Sequence, residues 1–204
     1  MNMKTKPAQS IHTNAPTQAQ QKPVWQNPNM RLVLASTSHI RATILNKAGL
    51  CFDICAPLVD ESALKKQYKK QYVGRDESTA PLQKAQESPQ ENMDLAETLA
   101  RQLAIAKAQS VAHSQANDKN DKGGLVLGAD QILTCQGRFF DKPQNMAEAA
   151  DNLRFLRGKT HTLTAGVALI GGGGKYKKGE IIWQTSAVAH LTMHAFSDAF
   201  LAAY

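Results

Sequence analysis

The apolar positions of this chain fall into short runs and helical stripes that alternate from about residue 31 onward. Residues 31–35, RLVLA, read as a buried strand. Ser36-Thr37-Ser38 then opens a helix with Ile40, Ile44, Leu45 and Ala48 on one face and Gly49 as its stop. Residues 51–59 alternate like a second strand, with Phe52, Ile54 and Ala56 on one side and Asp60 and Glu61 just beyond its end. Asp94 with Glu97 three residues on makes a capping-box pattern, and Leu95, Leu99, Leu103 and Ala106 give a helical stripe reaching about Ala112.

Residues 125–129 form another buried strand, which continues through Asp130 to Cys135, turns at Gln136-Gly137-Arg138 and returns through Phe139-Phe140 to Lys142-Pro143. A helix follows from Asn145, with Glu148 at its capping position, Met146, Ala149, Ala150, Leu153 and Leu156 apolar, and Gly158 just past its end. Residues 160–170 and 179–193, rich in Thr, Val and Ile, read as a β-hairpin around residues 171–174. A last helix opens at Ser197-Asp198, and Tyr204 comes after about two turns, so the element looks truncated.

The rest is polar. Residues 1–29 are nearly free of large apolar side chains, which predicts a disordered tail ahead of one domain spanning 30–204. A polar insertion at about 62–92 carries the tandem repeat KKQYKKQY at 65–72, expected as a solvated helical turn plus a loose loop. An RNA-contacting patch of lysine and tyrosine is the alternative for that repeat. Residues 113–124 read as a surface loop.

Composition narrows the class. A chain of 204 residues with 42% hydrophobic and 20% charged residues suits one soluble globular domain. No apolar run approaches the roughly 20 residues of a membrane span, and the N-terminus has no apolar signal core, so the expected compartment is the cytoplasm and no membrane partner is expected. Cys51, Cys55 and Cys135 are too few for a disulfide framework or a four-cysteine zinc site. The net charge of +7 owes three lysines to the tail, which leaves 21 basic against 17 acidic residues over 31–204. That excess suits small phosphorylated ligands as well as it suits nucleic acid, and a nucleic-acid partner is not expected.

Several residues bear chemistry. A strand, a hydroxyl-rich turn and a helix N-terminus make an anion-binding arrangement, so Ser36, Thr37, Ser38 and Arg41 are candidates to hold phosphate, with a plain helix cap as the alternative. If residues of the 125–143 hairpin pair so that their numbers sum to about 273, Asp130 and Gln131 lie opposite Pro143 and Lys142. A carboxylate and an ammonium would then meet at one open end, with a surface ion pair as the alternative. Lys107 lies on the edge of the 95–106 stripe, nearer the buried face than a solvated lysine, though a snorkelling stem would explain this too. Asp60 and Glu61 form a paired-acid site suited to a hard divalent cation, or a solvated acidic turn. This inventory fits hydrolysis of a phosphate ester or anhydride. Other motifs fail: GGGGK at 171–175 lacks the first glycine and the hydroxyl of a P-loop, and His190 and His194 lie in a strand without a third zinc ligand.

The ordered motifs resemble the Maf family of nucleoside triphosphate pyrophosphatases from about Arg31 to the end. LVLASTSHIRATIL resembles its L-A-S-x-S-x-x-R opening, VDE at 59–61 its acidic motif, and LARQLAIAKAQ the segment that supplies Lys107. VLGADQ at 126–131 resembles G-[AS]-D-[TQ], DKP at 141–143 the K-P motif, and LRFLRGKTH at 153–161 the L-x-x-L-x-G-x-x-H segment. The resemblance implies an α/β fold with a long twisted mixed sheet and flanking helices, two lobes around a cleft, and a homodimer. It implies hydrolysis of nucleoside triphosphates to monophosphate and pyrophosphate with a divalent cation, Mg2+ or Mn2+.

By position, Asp130 would accept the proton of the attacking water, and Glu61 and Asp130 would hold the metal. Ser36, Ser38, Arg41, Lys107 and Lys142 would hold the triphosphate, with Ile40 and Gln131 at specificity positions. Where the family commonly has S-P-R-R, this chain has Ser38-His39-Ile40-Arg41. Gln131 resembles the branch associated with 7-methyl-GTP and other modified or pyrimidine nucleotides more than the dTTP/UTP branch, while Ile40 offers no aromatic ring to a methylated base. Family members continue past the helix at Ser197 into a G-x-Y-x-x-x-G segment and a final helix, so the C-terminal part is expected to be missing. A nucleotide-binding regulatory protein without turnover, linked to cell division, is the competing reading.

Overall fold

The computed structural model describes residues 26–27, 29–73, 89–114 and 123–203. Residues 1–25 and 28 of the tail expected at 1–29, and much of the 62–92 and 113–124 segments, therefore lie outside the described residues. Gln26, by contrast, is buried and exchanges two hydrogen bonds with the Cys51 backbone, so this end of the expected tail is seated on the domain. The first strand, β1 (Leu32–Ala35), is buried at every position. It reads as continuously apolar because it runs between two parallel neighbours, β2 (Asp53–Cys55) and β3 (Leu125–Cys135), with no edge of its own. Strand β3 then pairs antiparallel with β4 (Arg138–Phe140) and β5 (Thr160–Gly171), and β5 pairs antiparallel with β6 (Ile181–Thr192). The result is a six-stranded mixed sheet in the order β2-β1-β3-β5-β6, with β4 beside the far end of β3. This is the mixed α/β architecture that the sequence predicts.

Five helices among the described residues flank the sheet: α1 (His39–Lys47), α2 (Glu61–Val73), α3 (Pro89–Ser114), α4 (Met146–Leu156) and α5 (Asp198–Ala203). None is long and apolar enough to cross a membrane. Helix α3 crosses the sheet on a ridge of Ala96, Ala100, Ala104 and Ala108, all fully buried and spaced by four residues. The strands meet this ridge with glycine. A Cβ on Gly128 of β3 would stand 2.0 Å from the Ala104 carbonyl oxygen, and one on Gly166 of β5 would stand 2.2 Å from the Ala100 carbonyl carbon. Small residues on both partners bring helix and sheet to backbone distance, and this close seat fixes where every other side chain of α3 emerges.

Four expectations need correction. The strand expected over 51–59 is only Asp53–Cys55, and Ile54 and Ala56 face outward. As an edge strand β2 turns Cys55 toward the core, and Pro57 prevents further pairing. The aliphatic stripe of α1 is also outward: Ile40 and Ile44 are exposed, while Ala42 is buried and Arg41 half-buried. In this orientation Arg41 donates to Ser36 Oγ. Helix α3 starts at Pro89, five residues before the capping box read at Asp94, because proline is well placed in a first helical turn. Glu97 instead accepts a hydrogen bond from Ser186 and pairs with Arg101. Finally, the solvated helical turn expected in the repeat is part of a thirteen-residue helix that begins at Glu61. Leu64 and Tyr68 of α2 pack against the cluster of Ala96, Leu99, Ala100, Leu103 and Ile132, which is the burial that stabilises this otherwise polar helix.

Elsewhere local chemistry matches local structure. Asn145 caps α4 by accepting from the Glu148 amide, and Glu148 accepts from the Gln144 amide, a reciprocal box. Gly49 and Gly158 end α1 and α4 with φ of 78° and 68°, where a side chain would be strained.

Candidate active site

The site lies where the sheet changes partner. On one edge of β3, β1 pairs only as far as Ala35 opposite Gly128, and β4 begins only at Phe140 opposite Leu133. Between them, residues 129–132 of β3 have no strand on that edge among the described residues. A crevice beyond the carboxyl end of a parallel strand, at a change of strand order, is where open α/β sheets take ligands. Asp130 stands in this gap, on the face that α3 covers, and its backbone pairs with Gly166 on the other edge.

Lys107 emerges from α3 one turn after Ala104 and reaches Asp130 Oδ1 at 2.5 Å; both side chains are buried. The same Nζ meets Glu61 Oε1 at 2.9 Å, so one ammonium joins two carboxylates from different elements. Glu61 comes from the first turn of α2, where a negative charge also favours the helix N-terminus. Arg41 approaches from α1. Its Nη2 lies 3.9 Å from Asp130 Oδ1, and its Nη1 donates to Ser36 Oγ at 3.2 Å. Ser36 is buried and also accepts from the Ser38 amide, which shapes the turn between β1 and α1. Ser38 occupies the N-cap of α1 without a side-chain capping bond, leaving its hydroxyl to other partners. A buried ion pair with one partner removed leaves an uncompensated charge, so Lys107 and Asp130 hold each other in place.

The structure thus gathers Ser36, Ser38, Arg41, Glu61, Lys107 and Asp130 around one gap. Gln131 and Ile40 are exposed at its border, Gln131 on the strand face opposite Asp130. Lys142 differs from expectation. The β3–β4 ladder does pair residues whose numbers sum to 273, but it stops at Leu133↔Phe140, so no strand pairing sets Lys142 against Gln131. Lys142 lies exposed in the loop between β4 and α4, where its carbonyl accepts from Gln144 Nε2. Its neighbour Asp141 is instead held by Lys65 of α2, at 2.5 Å. Sequence reasoning missed Lys65; its spacing of four from Glu61 was the signal, and it was assigned to a solvated repeat.

The donor set at the gap suits a hard cation in part. Among the described residues no group of three or more His, Cys, Asp or Glu could hold a metal ion alone. Glu61 and Asp130 bring two carboxylates to the gap, and an ion such as Mg2+ commonly takes one or two carboxylates together with substrate phosphate oxygens and water.

Comparison with known proteins shows the family. The family model described as Maf-like protein matches residues 31–204. A protein of Rhizobium meliloti (strain 1021) named 7-methyl-GTP pyrophosphatase is 32% identical over 170 residues, 83% of this chain and 69% of that protein. A nucleoside triphosphate pyrophosphatase of Nitrobacter hamburgensis is 32% identical over 181 residues, 89% of this chain and 72% of that protein. One of the same name from Gluconobacter oxydans is 37% identical over 173 residues, 85% of this chain and 70% of that protein.

Proposed function

The chain belongs to the Maf family, and from that premise we propose that it hydrolyses the α–β phosphoanhydride of nucleoside triphosphates, releasing nucleoside monophosphate and pyrophosphate, with a divalent cation. The observation that carries this reading is the Glu61–Lys107–Asp130 chain beside Ser36 and Arg41, in the gap of the sheet.

Asp130 is the proton acceptor. Both cations meet its Oδ1, which orients the carboxylate and leaves Oδ2 to take a proton from a water. That water attacks the α-phosphorus, the bond from this phosphorus to the α–β bridging oxygen breaks, and pyrophosphate departs with the electron pair. Charge grows on the departing group, and fixed cations are the efficient way to stabilise it. Lys107 and Arg41 supply them from the floor of the site, and Lys142 supplies a third from the rim. The hydroxyls of Ser36 and Ser38, at the N-terminus of α1, hydrogen-bond the phosphate oxygens. Glu61 and Asp130 would hold the cation, Mg2+ or Mn2+, which when bound polarises the phosphoryl oxygens.

Phosphorus NMR of the products formed from a panel of common and methylated nucleoside triphosphates with Mg2+ tests this. Monophosphate plus pyrophosphate is expected. Diphosphate plus orthophosphate would contradict the bond assignment, and no turnover with any nucleotide would sink the enzymatic reading.

A further inference from the structure

Helix α2 turns one face inward, and it carries two kinds of residue. Glu61, Leu64, Lys65 and Tyr68 are partly buried, while Ser62, Ala63, Lys66 and Gln67 are exposed. Positions 61, 64, 65 and 68 are the neighbours expected on one helical face. Leu64 and Tyr68 seat α2 on α3, and the two charged residues beside them reach in different directions. Glu61 meets Lys107, which belongs to the buried floor of the site. Lys65, one turn later, meets Asp141 at the start of the loop that carries Lys142. That loop is fixed at its other end by the box of Gln144, Asn145 and Glu148 at the start of α4.

We infer that Lys65 is a positioning residue for the proposed reaction: through Asp141 it holds the 141–145 loop so that Lys142 stands over the same gap as Lys107 and Asp130. The inference rests on the reading of Lys142 as a triphosphate ligand. Helix α2 then acts as a strap, with one end tied to the floor and the next turn tied to the rim. Without Lys65 the loop keeps its attachment at α4 but loses the attachment next to Lys142, and the Lys142 ammonium samples positions away from the phosphates. Such an ion pair, half-exposed on the Asp141 side, adds little to folding stability. Its effect therefore appears in substrate affinity and not in melting temperature.

The test is a double-mutant cycle in the full chain with Lys65→Met, Asp141→Asn, both together, and Lys65→Arg as the conservative variant. Each single substitution should raise KM for the triphosphate about five- to tenfold with kcat within about twofold, and the double variant should be no worse than either single. Lys65→Arg should return KM to within about twofold of the unaltered chain, and all four should keep its melting temperature. If Asp141→Asn leaves KM unchanged while Lys65→Met raises it, or if the two effects add, Lys65 acts on the substrate directly and the strap is wrong. An unchanged KM in Lys65→Met overturns it as well. Titrating the same proteins with inorganic tripolyphosphate by calorimetry reads the coupling without turnover. Absence of hydrolysis in the unaltered chain would count against the proposed activity, and the titration would still decide the strap.

Discussion

On the floor of the site, the side chains of Lys107 and Asp130 are 7% and 8% exposed, while on its rim those of Glu61 and Asp141 are 44% and 55% exposed. The floor is positioned by packing. Alanines of α3 lie on glycines of β3 and β5 at backbone distance, so the backbone that carries Lys107 is held at a fixed distance from the strand that carries Asp130. The rim is positioned by ion pairs in or near water, which are individually weak and can break and re-form. In the proposed reaction the two halves would serve different parts: a fixed carboxylate–ammonium pair for the chemical step, and an adjustable border for admitting and releasing a charged ligand.

The sharpest way to break this comparison is at the floor. Asp130→Asn keeps the shape and the hydrogen-bonding oxygen but removes the proton acceptor, and should lower kcat by about 10²- to 10⁴-fold. The melting temperature should change little beside that, because Lys107 keeps Glu61 as a partner. A variant that retains more than a tenth of the original kcat would show that the proton goes elsewhere.

A second substitution attacks the packing under the floor and touches no charge. Gly128→Ala puts a methyl group 2.0 Å from the Ala104 carbonyl oxygen, a backbone atom that cannot rotate aside. Helix α3 must lift, and overpacking of this kind costs roughly 1–3 kcal/mol. A fall in melting temperature together with weakened turnover is expected, because the lift carries Lys107 away from Asp130. Loss of stability with unchanged kcat would mean that the seat of α3 and the position of Lys107 are independent.

The same contrast separates what the sequence revealed from what it concealed. The strand and turn at residues 31–38, Asp130 on the strand that continues the apolar run 125–129, and Lys107 near the buried face of its helix were all legible, because each depends on local periodicity and on residues a few positions apart. The floor is made of such residues. Misreadings cluster on the rim. The inward face of α1 was assigned from its aliphatic spacing, yet the helix turns Ala42 and Arg41 inward and leaves Ile40 and Ile44 exposed. Helix α2 was hidden inside a polar repeat, because the leucine and tyrosine that seat it find their partners on α3, some thirty residues away. Lys142 was placed by extending a ladder that in fact ends at Leu133, and the tie that replaces it spans 76 residues, from Lys65 to Asp141. Long-range pairs between charged residues leave no periodic trace in a sequence.

The mildest prediction concerns the outer face of α1. Ile40 is 68% exposed and its neighbour on the next turn, Ile44, is likewise exposed, so neither contributes apolar burial to the core. Ile40→Ala removes side-chain surface that is already in water, and such substitutions usually change stability by no more than about 0.5 kcal/mol. The melting temperature should therefore stay where it is. Because Arg41 is the next residue and faces the gap, an effect of Ile40→Ala on kcat/KM that differs between GTP and 7-methyl-GTP would arise from contact with the base. Equal small changes for both nucleotides would place Ile40 outside base selection, and a clear loss of stability would show that this face of the rim is packed after all.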